Sequence, residues 1–476
     1  MRKFDTSVQY MKYKALKEVA RYAWEGTLNE NLLNIPNVVQ PGAVPITACC
    51  IYKERAIFSE RVRVAMGGDK TNPNIIEVIN IACDQCPAAG YEVTGSCRGC
   101  LAHRCENICK RGALYFDANH TAHIDKTKCV ECGSCAKACP FGAIVNHKRP
   151  CQNACKIKAI SIGPDNAAAI DYEKCIQCGA CVYQCPFGAL ADKSFIVNVI
   201  EMLKGSENGK NYPVYALLAP AVGSQFSYAK LGQIVTGLKM LGFSTVLETA
   251  IGADMVTVSE TAELQEKDFM TSSCCPAFVR YIKTAFPELA PFISHNPSPM
   301  VALSKYIKEK DPSAKTVFIG PCTAKKAEFQ LEDKKPFVDA VLTFEELLAL
   351  LDSRDVKIEN LDEEPLDNAS YFGRIFGHIG GLSEAVVEQL KETGSDFKVN
   401  ACICDGIEEC KMALLRKSKN ALDANFIEGM ACIGGCVNGA GNLTHSERNR
   451  IEIDKYSNAA TKKTIAESID EWEKKE

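Results

Sequence analysis

Two stretches, KCVECGSCAKACPFGAI from Lys128 and KCIQCGACVYQCPFGAL from Lys174, carry one motif at an offset of 46 residues. Each reads C-x2-C-x2-C-x3-C-P, a spacing that confines the backbone more than any other feature of the chain. Three thiolates on a tight loop wrap one cubane, and the fourth, followed by proline, reaches to another cluster. Zinc ribbons want cysteine pairs separated by longer gaps. On this rule Cys129, Cys132, Cys135 and Cys185 hold one 4Fe-4S cluster, and Cys175, Cys178, Cys181 and Cys139 hold a second.

The same offset relates RCENICKRGAL, from Arg104, to PCQNACKIKAI, from Pro150, and HID to AID, so the stretch from Arg104 to Ser194 is an internal duplication. Cys97, Cys100, Cys105 and Cys109 resemble the motif with a longer middle gap, while Cys151 and Cys155 repeat only its second half. If Cys83 and Cys86 supply the missing half, a second crossed pair follows. It groups Cys97, Cys100, Cys105 and Cys155 on one cluster and Cys83, Cys86, Cys109 and Cys151 on the other, for four accessory clusters in all. The alternative is a single extra cluster, or a zinc, with spare thiols.

The 26 cysteines exceed what packing needs. The opening MRKFDTSVQYMKYKALKEVARYAWEG has charges throughout and no apolar stretch before a small-residue cleavage site, so it does not read as a signal peptide. Without an apolar run long enough for a bilayer, the expectation is a cytoplasmic protein with no membrane partner, whose clustered thiolates bind metal. A net charge of −4 with scattered Lys and Arg leaves no footprint for nucleic acid.

Three regions are expected: a helical cap or docking segment over 1–80, an α+β ferredoxin-like multi-cluster domain with the duplication over 81–200, and an α/β domain over 210–476. In the last, short apolar runs such as YPVYALLAPAV and KTVFIGPCTAKKAEF lead into helical stretches, the pattern of parallel sheet with covering helices. Its chemistry sits in three loops: TSSCCPAFV from Thr271, GPCTAKKAE from Gly320 and EGMACIGGCVNGAG from Glu428. They offer Cys274, Cys275, Cys322, Cys432 and Cys436, one thiol more than a cubane takes.

In these three loops, in this order, the chain resembles the FeFe hydrogenases over about Tyr212 to His445, and most closely their group B branch. The resemblance implies two lobes of mostly parallel sheet with flanking helices around an H-cluster. Cys275, Cys322, Cys432 and Cys436 would bind its 4Fe-4S part, and Cys436 would bridge to a two-iron subcluster bearing CO, cyanide and an azadithiolate. Lys325 would contact a cyanide, with its neighbour Lys326 expected to be solvated. Met430 and Pro220 would line the subcluster. Cys274 would pass protons through Glu260, Ser294 and Glu263, and Glu260 and Glu263 lie three apart, on one face if helical. Gly434, Gly435, Gly439 and Gly441 would let the backbone approach a bulky inorganic body, and a helical turn would aim Cys432 and Cys436 to one side.

The implied activity is 2H+ + 2e− ⇌ H2, with a ferredoxin-like carrier and hydrogenase maturation proteins as partners. A non-catalytic hydrogenase-like protein of cluster assembly, or a hydrogen sensor, is the alternative. The chain departs from the family at Phe278, where many relatives have tryptophan, at Gly320 for methionine, at Ala221 for serine and at Met300 for glutamine. Cys49, Cys50, Cys402, Cys404 and Cys410 receive no task.

Overall fold

The computed structural model describes residues 4–84, 86 and 90–475, with Glu473 and Lys475 described by backbone alone. The helix Ser7–Glu25 begins where Gln9 N–H donates to Thr6 Oγ1 at 3.2 Å and Thr6 N–H to Gln9 Oε1 at 3.1 Å, and it ends at Gly26. Met11, Ala15, Leu16 and Val19 recur at helical spacing and are buried against Phe344–Ser353 and Ile196–Ser206. The first helix therefore shares the core of the C-terminal domain.

The duplication appears as paired antiparallel ribbons. Leu114–Phe116 pairs with Ala122–Ile124, and Ile160–Ile162 pairs with Ala168–Ile170 in the same register. Each unit is closed by a further ribbon, Gly90–Val93 against Ile144–His147 in one and Ile76–Val78 against Leu190–Asp192 in the other. The closing strand of the second unit thus lies before the whole of the first. The first unit is an insertion inside the second.

The C-terminal domain contains a four-stranded parallel sheet in the order Thr245–Glu248, Val214–Leu218, Lys315–Gly320, Ala340–Thr343. A three-stranded parallel sheet follows the order Met270–Thr271, Phe426–Met430, Ala401–Asp405. The central strands Val214–Leu218 and Phe426–Met430 are almost completely buried because helices cover both faces of their sheets. The two expected lobes are present. Among the described residues no helix is long and apolar enough to cross a membrane.

Candidate functional site

Parallel strands present their carboxyl ends together, and ligands collect there. Leu218 runs into Ala219 and Pro220, Gly320 into Cys322, Thr271 into Cys274 and Cys275, and Met430 into Cys432 and Cys436. Both lobes therefore aim their loops at one place. Burial, then Cys322 and Cys275, push the Cys436 thiol up to about 12, and burial with Cys275 pushes Cys322 up to about 11. Cys432 is held well above the usual thiol range by burial and by Cys322, Cys178, Cys275 and Cys436. Cys322, Cys432 and Cys436, whose ionisation burial and one another oppose, need a cation to become thiolates, which iron would provide. Among the described residues no three such side chains are spaced for a single metal ion.

Beside these thiols lies a cavity of about 90 Å³ lined by Pro220, Cys274, Met300, Lys325, Met430 and Cys436, among others. Lys325 Nζ donates to Glu328 Oε2 at 2.7 Å and to the Cys274 carbonyl at 3.2 Å. Burial works against its charge, but Glu328 overrules it and holds the ammonium above the usual lysine range. A buried cation beside a small apolar cavity suits an anionic guest.

From that cavity a polar track leads outward. Cys274 is buried, and burial followed by the charge of Glu260 keeps its thiol well above the usual range. Glu260, on the helix Ala250–Glu266, is fully buried, and neither carboxyl oxygen finds a hydrogen bond of ordinary length among the described residues. Burial raises it to about 8, although Ser294 lies close enough to favour its charge. Ser294 Oγ donates to Glu263 Oε2 at 3.0 Å. Glu263 also accepts from Lys267, the Asn296 amide and the His295 backbone, and His295 Nδ1 stands 2.9 Å from it with an imidazole 78% exposed. The sequence reading missed Lys267, Asn296 and His295; Glu263 and Lys267 at i, i+4 were a legible signal, as were Lys325 and Glu328 at i, i+3.

The accessory thiols come together differently from the expected grouping. Cys105 feels Cys139 and Cys100, with Cys97 packed in the same cluster, whereas Cys135 feels Cys129 and Cys109, and Cys109 feels Cys132. Cys151 feels Cys185, Cys83 and Cys86, and Cys181 feels Cys178, Cys175 and Cys155. Cys185 and Cys109 thus trade places relative to the sequence reading, and so do Cys139 and Cys155. The reason is the nesting: each unit crosses its fourth cysteines within itself, and the second unit takes Cys83 and Cys86 from ahead of the first. Matching amides support the register, with Ala113 N–H donating to Cys109 Sγ at 3.3 Å and Ala159 N–H to Cys155 Sγ at 3.1 Å.

The second unit, the inner one as seen from the thiol site, abuts that site. A cavity of about 560 Å³ is lined by Cys155, Cys175, Cys178, Cys181 and Cys432. Thr323 Oγ1, next to Cys322, donates to the Gln177 carbonyl at 2.8 Å, and a Cβ at Gly179 would lie 2.5 Å from that hydroxyl.

Three further expectations need correction. Lys326 is fully buried, 2.8 Å from both Asp192 and Glu346, because its helix turns it inward under the ferredoxin-like unit. The loop glycines answer to protein packing: a Cβ at Gly435, with φ 89°, would lie 2.7 Å from Ile379 N, and one at Gly439 would lie 2.6 Å from the Pro321 carbonyl. Cys432 sits in a turn and Cys436 opens a short 3-10 segment, so no α-helical turn aims them. At the departures, the Phe318 ring fills the space a side chain at Gly320 would take, 2.6 Å from its Cβ, and Phe278 covers Gly429.

The chain matches the family model for the iron only hydrogenase large subunit, C-terminal domain, over residues 212–440, and the 4Fe-4S binding domain over 122–145 and 168–191. It is 29% identical over 328 residues to iron hydrogenase 1 of Clostridium pasteurianum, covering 56% of each chain, so it spans little more than half of that relative. It is 29% identical over 188 residues to the cytosolic Fe-S cluster assembly factor NAR1 of Eremothecium gossypii, covering 38% of each. With the periplasmic Fe hydrogenase large subunit of Nitratidesulfovibrio vulgaris it shares 32% identity over 384 residues, covering 68% of this chain and 87% of that one. A match of that extent, falling on a domain whose thiol loops meet at the ends of two parallel sheets, means that the chain belongs to the iron-only, or FeFe, hydrogenase family.

Proposed function

We propose that this protein is a cytoplasmic hydrogenase that interconverts protons and H2, taking or giving electrons through four cubanes and a ferredoxin-like carrier. The observation that carries the reading is one cavity bordered at once by Cys274, Cys436, Lys325 and Met430. Cys275, Cys322, Cys432 and Cys436 would hold the 4Fe-4S part of the H-cluster, with Pro220, Met430 and Lys325 around its two-iron part. When bound, that group supplies redox-active iron and a basic amine for making or splitting H2. Maturation proteins would have to deliver it.

The chain's own share is to move protons and exclude water. Cys274 stands between the cavity and Glu260, and Glu260, kept protonated at neutral pH by burial, can pass a proton on and regain one from the Ser294 side. Glu263 is held low by Lys267, His295 and Ser294 despite partial burial, so it accepts reluctantly and stays charged at the mouth. An exposed imidazole beside it can carry protons to and from solvent. His295→Ala should therefore slow hydrogen evolution about threefold to tenfold, with added imidazole restoring the rate. Turnover that is unaffected, or that imidazole leaves slow, would remove His295 from the path.

The accessory ligand sets follow the observed neighbours. They are Cys97, Cys100, Cys105 and Cys139; Cys129, Cys132, Cys135 and Cys109; Cys83, Cys86, Cys151 and Cys185; and Cys175, Cys178, Cys181 and Cys155. Electrons would enter at the outer unit, where Cys132 is exposed, and reach the catalytic domain through the inner set around Cys178. Fully loaded protein should contain about 22 iron atoms, whereas two accessory clusters would give about 14. Cys105→Ala and Cys139→Ala should each erase the same electron paramagnetic resonance signal, and loss of two different signals would break the grouping.

The similarity to NAR1 supports a second reading, a non-catalytic assembly factor. Infrared bands of bound CO and cyanide, with hydrogen evolution under strict anoxia, separate the two. Matured protein lacking both would favour the second.

A further inference from the structure

Three thiols that neither the cubanes nor the proton path use lie together behind the catalytic loop. Cys402 and Cys404 alternate on the strand Ala401–Asp405 and so face the same side, with their sulfurs 3.9 Å apart. Cys410, on the helix Ile407–Ser418, packs on the same strand, its Sγ 4.0 Å from the Cys404 carbonyl and 3.6 Å from that of Met430. Cys404 and Cys410 are buried and Cys402 is half-buried, so Cys402 gives the group its access to solvent. The strand pairs in parallel with Phe426–Met430, placing Cys404 opposite Gly429 and Asp405 opposite Met430.

We propose that Cys402, Cys404 and Cys410 form a thiol–disulfide site whose oxidising substrate is a peroxide, with Cys404 as the sulfur common to any bridge. The Cys402 sulfur attacks one peroxide oxygen. The O–O bond breaks, the departing hydroxide takes the thiol proton and leaves as water, and Cys402 is a sulfenic acid. Cys404 then attacks that sulfur; the S–S bond forms, the S–O bond breaks, and the second oxygen leaves as water with the Cys404 proton. Two thiols lose two electrons in total, and one peroxide becomes two waters.

The neighbours suit these roles. Contact with Cys410, then with Cys402, holds the Cys404 thiol below its usual range against burial. Burial and Cys404 hold the Cys402 thiol up at about 11, which Arg416 partly offsets. Closing 3.9 Å to a bond asks for a modest shift of two side chains on one strand face. The site would intercept peroxide on the solvent side of the strand that backs Met430, and its chemistry needs no metal and is independent of the hydrogen reaction.

One tryptic peptide, Val399–Lys411, carries all three cysteines. Iron-loaded protein is treated under anoxia with hydrogen peroxide at levels that leave its iron content unchanged, then denatured, alkylated with N-ethylmaleimide and digested. The expected peptide loses two of its three alkyl groups and two hydrogens, and fragmentation places the bridge at Cys404. In Cys404→Ser, dimedone should trap Cys402 as its sulfenic acid. In Cys402→Ser, which keeps both buried thiols, bridge formation should be lost. A peptide that keeps three alkyl groups while exposed Cys49 or Cys50 is oxidised overturns the proposal. So does a Cys404–Cys410 bridge that forms at undiminished rate in Cys402→Ser.

Discussion

Cys274→Ala is expected to bind its full complement of iron and yet lose roughly 10²- to 10⁴-fold in hydrogen turnover, the range for removing a positioned acid or base. The thiol is not one of the four that face one another around Cys322, so its loss leaves that set complete. It stands instead where the cavity meets Glu260, a carboxyl whose oxygens have no ordinary hydrogen bond among the described residues. Burying such a group without a partner is costly, and the proposed passage of protons would account for it. The measurement pairs iron content and infrared bands with hydrogen evolution from a chemical reductant. Normal evolution by Cys274→Ala would dismiss the thiol from proton transfer, while loss of iron would make its role structural.

Lys326→Met should destabilise the protein by about 3–5 kcal/mol, the usual cost of removing one partner from a buried ionic group. Lys326 Nζ bridges Asp192 Oδ2 and Glu346 Oε2, each at 2.8 Å, and Lys12 binds Asp192 Oδ1 and Glu345 Oε2, each at 2.6 Å. Burial would push Asp192 up, but Lys12 and Lys326 together hold it well below the usual carboxylate range. Without Lys326, Glu346 is left buried and charged with only its capping bonds to Thr343. Asp192 belongs to the ferredoxin-like unit and Lys12 to the first helix, so the loss falls on the junction of all three regions. Denaturant unfolding read by far-ultraviolet circular dichroism and by cluster absorbance tests it. Lys326→Met with Glu346→Gln should recover part of the loss, and a single variant as stable as the parent would refute the network's importance.

Much of the catalytic domain was legible because the signals are local. Alternating apolar runs and helical stretches gave the parallel sheets, and the three thiol loops fall at strand ends, as such sheets require. Glu260 and Glu263 do lie on one helix, and Cys274, Lys325, Met430 and Pro220 do border one cavity. What failed was non-local. Spacing can show that Cys139 and Cys185 reach to another cluster, but not which one, because the unit that owns Cys185 is completed by Cys83 and Cys86 on the far side of an insertion. The burial of Lys326 depends on a second domain packing over its helix, which nothing in GPCTAKKAE announces. Likewise Gly435 and Gly439 are small to admit His378, Ile379 and Pro321, residues remote in sequence.

The nesting has an architectural consequence. The inserted unit, which would carry the outer pair of cubanes, runs from Gly90 to His147 between two parts of the second unit. On the proposed function such a head is a cartridge: it can be lengthened, traded for one of another voltage, or cut away, and the wiring between the remaining cubanes and the gas-handling chamber need not be re-threaded.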